Sequence, residues 1–320
     1  MRTRILAVLA AVLVAGVPSA AHAEPHHHDS IRYASIKSCA DKDGGSRPCG
    51  GWRLVMHSGE QSPLNDAQGV ALDAKGKSSR YNPAAIAVSG DGQRVAYFTK
   101  SGRLAVRTLG GGVKVFAANA LPKVAQYDVT LLLSDDGGRL AAVIGSEKPA
   151  GTRIFDTATG AQLGTVPADL KVAGFSGDGD EVLASVEADE AVTDLVVYSD
   201  EGEELVRATP PQLVASNGPQ ALAADGRTAA NVVAGARTEL VTYDLAGDQV
   251  TGRKKIKLPA GDIHMIDWTG DTQVTLHLIR RLSDSTRMTI VQIDTGTGTV
   301  KVRDRYTLLK DTFFFAACGG

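Results

Sequence analysis

An Asp-centred turn repeated five times, short β-rich segments set around each turn, and no helical periodicity after the first two dozen residues predict an all-β fold. Together they define a β-propeller of six four-stranded blades, its ring closed by N- and C-terminal strands in one blade. The chain has 320 residues, 43% hydrophobic and 22% charged, with a formal net charge of −2. That is enough apolar matter for a core, and it excludes collagen-like and charge-rich disordered classes. The balanced charge gives no footprint for nucleic acid. With 35 glycines and 5% aromatics, the composition suits many tight turns.

The first segment reads as an address. Arg2 and Arg4 precede an apolar run from Ile5 to Val17, then Pro18 and the small-residue site Ala21-His22-Ala23. A basic start, a short apolar run and an A-x-A site predict a secretory signal peptide over residues 1–23, cleaved after Ala23. No later stretch is apolar for the length a membrane span needs. The mature chain is therefore expected to be exported, to the extracellular or periplasmic space, as a soluble monomer. Cleavage removes two arginines and leaves 32 basic against 36 acidic residues. Residues 24–30 read as a disordered His-rich tail, and residues 31–320 as one propeller domain.

The repeats follow in order. Val88-Ser-Gly-Asp-Gly92, Leu133-Ser-Asp-Asp-Gly137, Phe175-Ser-Gly-Asp-Gly179, Leu222-Ala-Ala-Asp-Gly226 and Trp268-Thr-Gly-Asp-Thr272 align without gaps. Their Asp residues are spaced by 45, 42, 47 and 46 positions, the length of a propeller blade. An Asp-Gly pair between two β-rich runs signals a hairpin, because Gly accepts positive φ and Asp bonds the turn backbone. A third and fourth strand follow each hairpin, as in 152–156 and 161–166, or 239–244 onward. The run "Ser-Gly-Asp-Gly-x-x-Val-Ala" followed by "Ile-Phe-Asp-Thr-Ala-Thr-Gly" resembles the WD40-like repeats of TolB-type propellers, over roughly residues 83–309. The resemblance implies the fold; such repeats serve scaffolds, enzymes and receptors alike. The Gly-His and Trp-Asp signatures of typical WD40 blades are missing.

The sixth blade must come from the ends. Residues 31–39 and 51–58 read as two strands, 69–74 as an outer strand, and 312–318 as the inner strand that closes the ring and removes its open edges. Seven blades would leave about 42 residues each and no loops. Cys39 and Cys49 flank one hairpin and are expected to form a disulfide after export, leaving Cys318 unpaired.

Candidate sites are few. His26, His27 and His28 are weak metal candidates, because Pro25 lacks the N–H that an N-terminal copper chelate deprotonates. The five turn Asp residues are explained by the turns themselves, and Trp268 by packing between blades. Arg253–Lys257 reads as a solvated outer strand, Arg280-Arg281 as a hairpin loop, and Phe313–Phe315 as an inner strand buried between sheets. Asp262, His264 and Asp267 lie on an inner strand near the channel mouth, where a propeller enzyme would keep catalytic groups. No Gly-x-Ser-x-Gly, His-Glu-x-x-His or Cys-x-x-Cys motif is present. The expected function is a non-enzymatic binding or scaffold module for a protein or peptide ligand, without a cofactor. The alternatives are a hydrolase or lyase at the channel mouth and an envelope-associated structural protein.

Overall fold

The computed structural model describes residues 29–146, 150–189, 192–235 and 237–319. They form six four-stranded antiparallel sheets in a ring, plus a two-stranded hairpin. Blades 1 to 5 have inner strands Ile86–Val88, Val129–Leu133, Lys171–Phe175, Gln220–Leu222 and Asp262–Trp268. In each blade the following three strands are added outward in chain order. Blade 6 is built as Thr312–Ala317, Ile31–Ala40, Ser46–Met56 and Gln61–Leu64, so both ends of the described chain share one sheet. Ala317 pairs with Tyr33, and the Cys318 amide donates to the Arg32 carbonyl at 3.0 Å. Helix is confined, among the described residues, to Gln212–Ala215 and a 3₁₀ turn at Gln126–Asp128.

The turn repeat works locally as its residue types require. Ser89, Ser134 and Ser176 donate their hydroxyls to Asp91, Asp136 and Asp178, and each Asp also accepts the amide two residues on. Asp225 does the same from Arg227 and Thr228, at 3.0 and 2.8 Å. The Gly after the Asp takes φ 64–85° at 92, 137, 179 and 226, a conformation that other residues resist. These turns lie at one end of the ring. The opposite end, where inner strands begin, carries the longer loops.

Trp268 is buried between blades 4 and 5, as its slot in the repeat requires. The outer strand of blade 6 differs from expectation. It is Gln61–Leu64, while Val70–Leu72 turns back onto Ser78–Pro83 as a separate hairpin. Arg80 at φ 69° and Tyr81 both bond Asp41, tying this hairpin to the loop of blade 6. The Cys39–Cys49 disulfide is present, with Cα atoms 5.9 Å apart. Its cysteines lie within the two strands rather than beyond them, because the strands run on to Ala40 and from Ser46. Cys318 is buried and unpaired, and burial pushes its thiol up to about 12.

The expected signal peptide and His26–His28 lie outside the described residues. Of the expected tail, Asp29 and Ser30 are described: Asp29 accepts from the Ser58 hydroxyl and amide, and Ser30 bonds His57.

Candidate functional site

The inner strand of blade 5 alternates its side chains between two neighbours. Ile263, Ile266 and Trp268 pack with blade 4. Asp262, Met265 and Asp267 pair with Ile279, His277 and Thr275 and turn toward blade 6. A bulge between Ile263 and Met265 leaves His264 without a cross-strand partner. A bulge re-aims one side chain, and here it delivers an exposed imidazole to the loop end of the ring.

His264 opens into a cavity of about 560 Å³ between blades 5 and 6. Its walls are the blade 5 hairpin from Arg281 to Thr286, the connection Leu308–Lys310, and the inner strand of blade 6 from Thr312 to Phe315. The His264 and Phe315 rings lie 5.6 Å apart, tilted by 34°. Burial lowers the His264 pKa, and the positive charge of Arg281 lowers it further, so the ring is neutral near pH 7. Its nitrogens make no hydrogen bond among the described residues, which leaves one donor and one acceptor for a ligand.

Arg281 and Lys310 line the same cavity, and neither forms an ion pair among the described residues. Asp284 at the hairpin tip accepts from Ser285 at 3.0 Å. Phe313 and Phe315 are half-buried against different sheets, while Phe314 is 46% exposed beside Trp52. The expected burial of all three rings is therefore incomplete. The cavity is lined by three phenylalanines together with hairpin polar groups, and its charged side chains are Arg281, Lys310 and Asp284.

The three channel-mouth candidates separate along the strand. Asp262 is exposed at the start of the strand and lines a neighbouring cavity of about 780 Å³. Asp267 lies three residues beyond His264, about 10 Å at the usual strand rise, toward the Asp-turn end. Burial pushes its carboxyl up to about 7, and the charge of Asp135 adds to the shift. The structure thus brings His264 together with Phe315 and Arg281, not with Asp267. No group of three metal-ligating side chains is gathered among the described residues.

The sequence reading took Arg281 for a loop residue and Phe315 for core, and gave Lys310 no role. Arg280 and Arg281 are the end of a nine-residue strand paired with Thr286 and Arg287, not a loop. The outer-strand cations behave as expected, with Arg253 held by Glu239.

No protein-family model matches the chain. No curated protein matches it either. Solved structures do resemble it. A TolB-assigned protein from Agrobacterium tumefaciens aligns at 17% identity and a TM-score of 0.47, over 86% of this chain and 90% of that one. TolB from Acinetobacter baumannii aligns at 13% and 0.44, over 87% and 67%. The β-propeller domain of the Trilobed protease from Pyrococcus furiosus aligns at 14% and 0.47, over 85% and 80%. The likeness is one of fold. At these identities it extends to the propeller architecture and no further.

Proposed function

We propose that the chain is an exported, monomeric β-propeller of residues 31–320 that binds a protein or peptide segment at the loop end of blades 5 and 6, without a cofactor. The observation that carries this reading is the His264–Phe315 cavity, which is concave, lined by phenylalanines, and holds His264, Arg281 and Lys310 with no bonded partner among the described residues. Loops on a rigid scaffold are where recognition is usually placed. A hydrolase or lyase would need a carboxylate or nucleophile within hydrogen-bond reach of His264, and neither Asp262 nor Asp267 is so placed. Binding is therefore the better reading. The basic-apolar-small start of the chain and the Cys39–Cys49 disulfide both fit export to an oxidising space. Among the described residues, no helix is long and apolar enough to cross a membrane.

The test is affinity capture from the source culture with the mature chain, beside a His264→Ala/Leu282→Ser variant that changes two exposed cavity residues. A protein or peptide retained by the natural chain and lost from the variant is the expected result. Identical retention by both would remove the cavity from the function.

A further inference from the structure

We infer that this cavity and the hairpin beside it select an acidic peptide segment, one carrying several carboxylates and an apolar side chain; the inference rests on the binding reading above. Several arginines elsewhere in the protein are held by carboxylates. Arg53 holds Asp311 at 3.0 and 3.1 Å, Arg139 holds Asp200 at 2.6 Å, and Arg32 holds Asp304 at 2.8 Å. Arg281 and Lys310 face the cavity with no carboxylate bonded to them among the described residues.

The hairpin also sets Arg280 directly across from Arg287. Like charges at opposed strand positions repel, so nothing in folding favours that pair. By strand alternation Arg280 and Arg287 lie on the face opposite Arg281, toward blade 4. There the second cavity is lined by Arg237, Lys255 and Lys257. Both sides of one hairpin therefore present cations without an ion pair among the described residues, on a chain whose net charge is −2. The local counter-charges are few: Asp262 at the start of the inner strand and Asp284 at the tip, since Asp311 is engaged by Arg53.

Guanidinium groups grip carboxylates through paired hydrogen bonds, which explains the charge sign of the partner. The phenylalanine lining explains its second property. Phe313, Phe315, Leu308 and Ile279 offer an apolar seat that a peptide side chain fills and a sugar-phosphate backbone does not. The neutral His264 ring stands between the two, able to bond a peptide N–H or C=O. Charge complementarity and the apolar seat together commit the site to an acidic peptide rather than to nucleic acid.

The test uses the mature chain and three short fluorescein-labelled peptides that share a Phe-Leu centre, flanked by Glu, by Ser or by Lys. A labelled oligothymidylate is the fourth probe, and fluorescence anisotropy is the readout. The Glu peptide is expected to bind about tenfold or more tighter than the Ser peptide, and to weaken as salt rises from about 50 to 300 mM. An Arg281→Ala/Lys310→Ala variant, altering exposed side chains, should lose about tenfold for the Glu peptide, with unchanged circular dichroism and melting. Equal affinity for the Glu and Ser peptides would overturn acidic selection and leave peptide binding standing. Tighter binding of the oligothymidylate than of any peptide would overturn it in favour of nucleic acid. Failure of all three peptides would overturn the inference and the peptide reading together.

Discussion

Blade 5 meets its two neighbours through different chemistry. Toward blade 4 the seam is aliphatic: Ala221, Ala230, Val232, Leu240 and Ile256 face Ile266, Val274, Leu276, Leu278 and Trp268. Toward blade 6 the seam is aromatic and polar. Tyr33 stacks on Tyr306 at 5.3 Å, Arg32 lies over Tyr306 and pairs with Asp304, and the Leu309 amide donates to the Tyr33 hydroxyl. The fully buried His277 adds a titratable group to the same side. Neighbouring blades along the chain are already held close, and close-packed apolar surface suffices to join them. The closing seam must select one register between distant chain segments, and directional contacts do that better than hydrocarbon.

The largest test of this contrast is Trp268→Ala in the aliphatic seam. Deleting a buried indole should cost about 3–5 kcal/mol in chemical denaturation. A loss under about 1 kcal/mol would mean that the seam is not a packed core. Next in size is the disulfide, which restrains blade 6 alone. Replacing Cys39 and Cys49 by Ser should cost on the order of 2–3 kcal/mol, seen as a lower denaturation midpoint.

The smallest effect concerns pH and belongs to the closing seam. Burial lowers His277 to about 3, so the unfolded chain takes up its proton first and stability falls as pH drops from 6.5 toward that value. Asp267 is raised to about 7, so the folded chain keeps a proton the unfolded chain has released, and stability falls as pH rises from 3.8 toward 7. The two slopes oppose each other across the mildly acidic range. His277→Leu should leave a fold that weakens with rising pH, and Asp267→Asn one that strengthens. Each change should reach on the order of 1–3 kcal/mol between about pH 4 and 7 in urea titrations. Parallel curves for both variants and the natural chain would show that neither group is perturbed by the seam.

Most of the architecture was legible because a blade is a local object. Ser89, Asp91 and Gly92 make their turn from contacts within five residues, so the repeat announces itself. The disulfide was legible for the same reason. The outer strand of blade 6 was not. Gln61-Ser-Pro-Leu64 has little β character, but it follows a tight turn after Met56 and falls beside that strand, while the better-looking Val70-Ala-Leu72 pairs elsewhere. At an edge, proximity outweighs propensity and even Pro63 is tolerated. The site was hidden for a third reason. His264 and Phe315 are about fifty positions apart and meet only where two neighbouring blades pack, while the bulge that frees His264 leaves no mark in the local pattern.

That closure also sets a timetable. Roughly 250 residues separate Leu64 from Thr312, so at 5–20 residues per second the ribosome needs about 10–50 s to make the intervening chain. Throughout that interval the Ile31–Ala40 strand has no inner partner from its own chain, and its backbone amides and carbonyls stand as an open edge. Blades 1 to 5 can form as they emerge, but the ring cannot lock. Once formed, the Cys39–Cys49 bond holds the waiting hairpin of Ile31–Ala40 and Ser46–Met56 together until the last strand arrives.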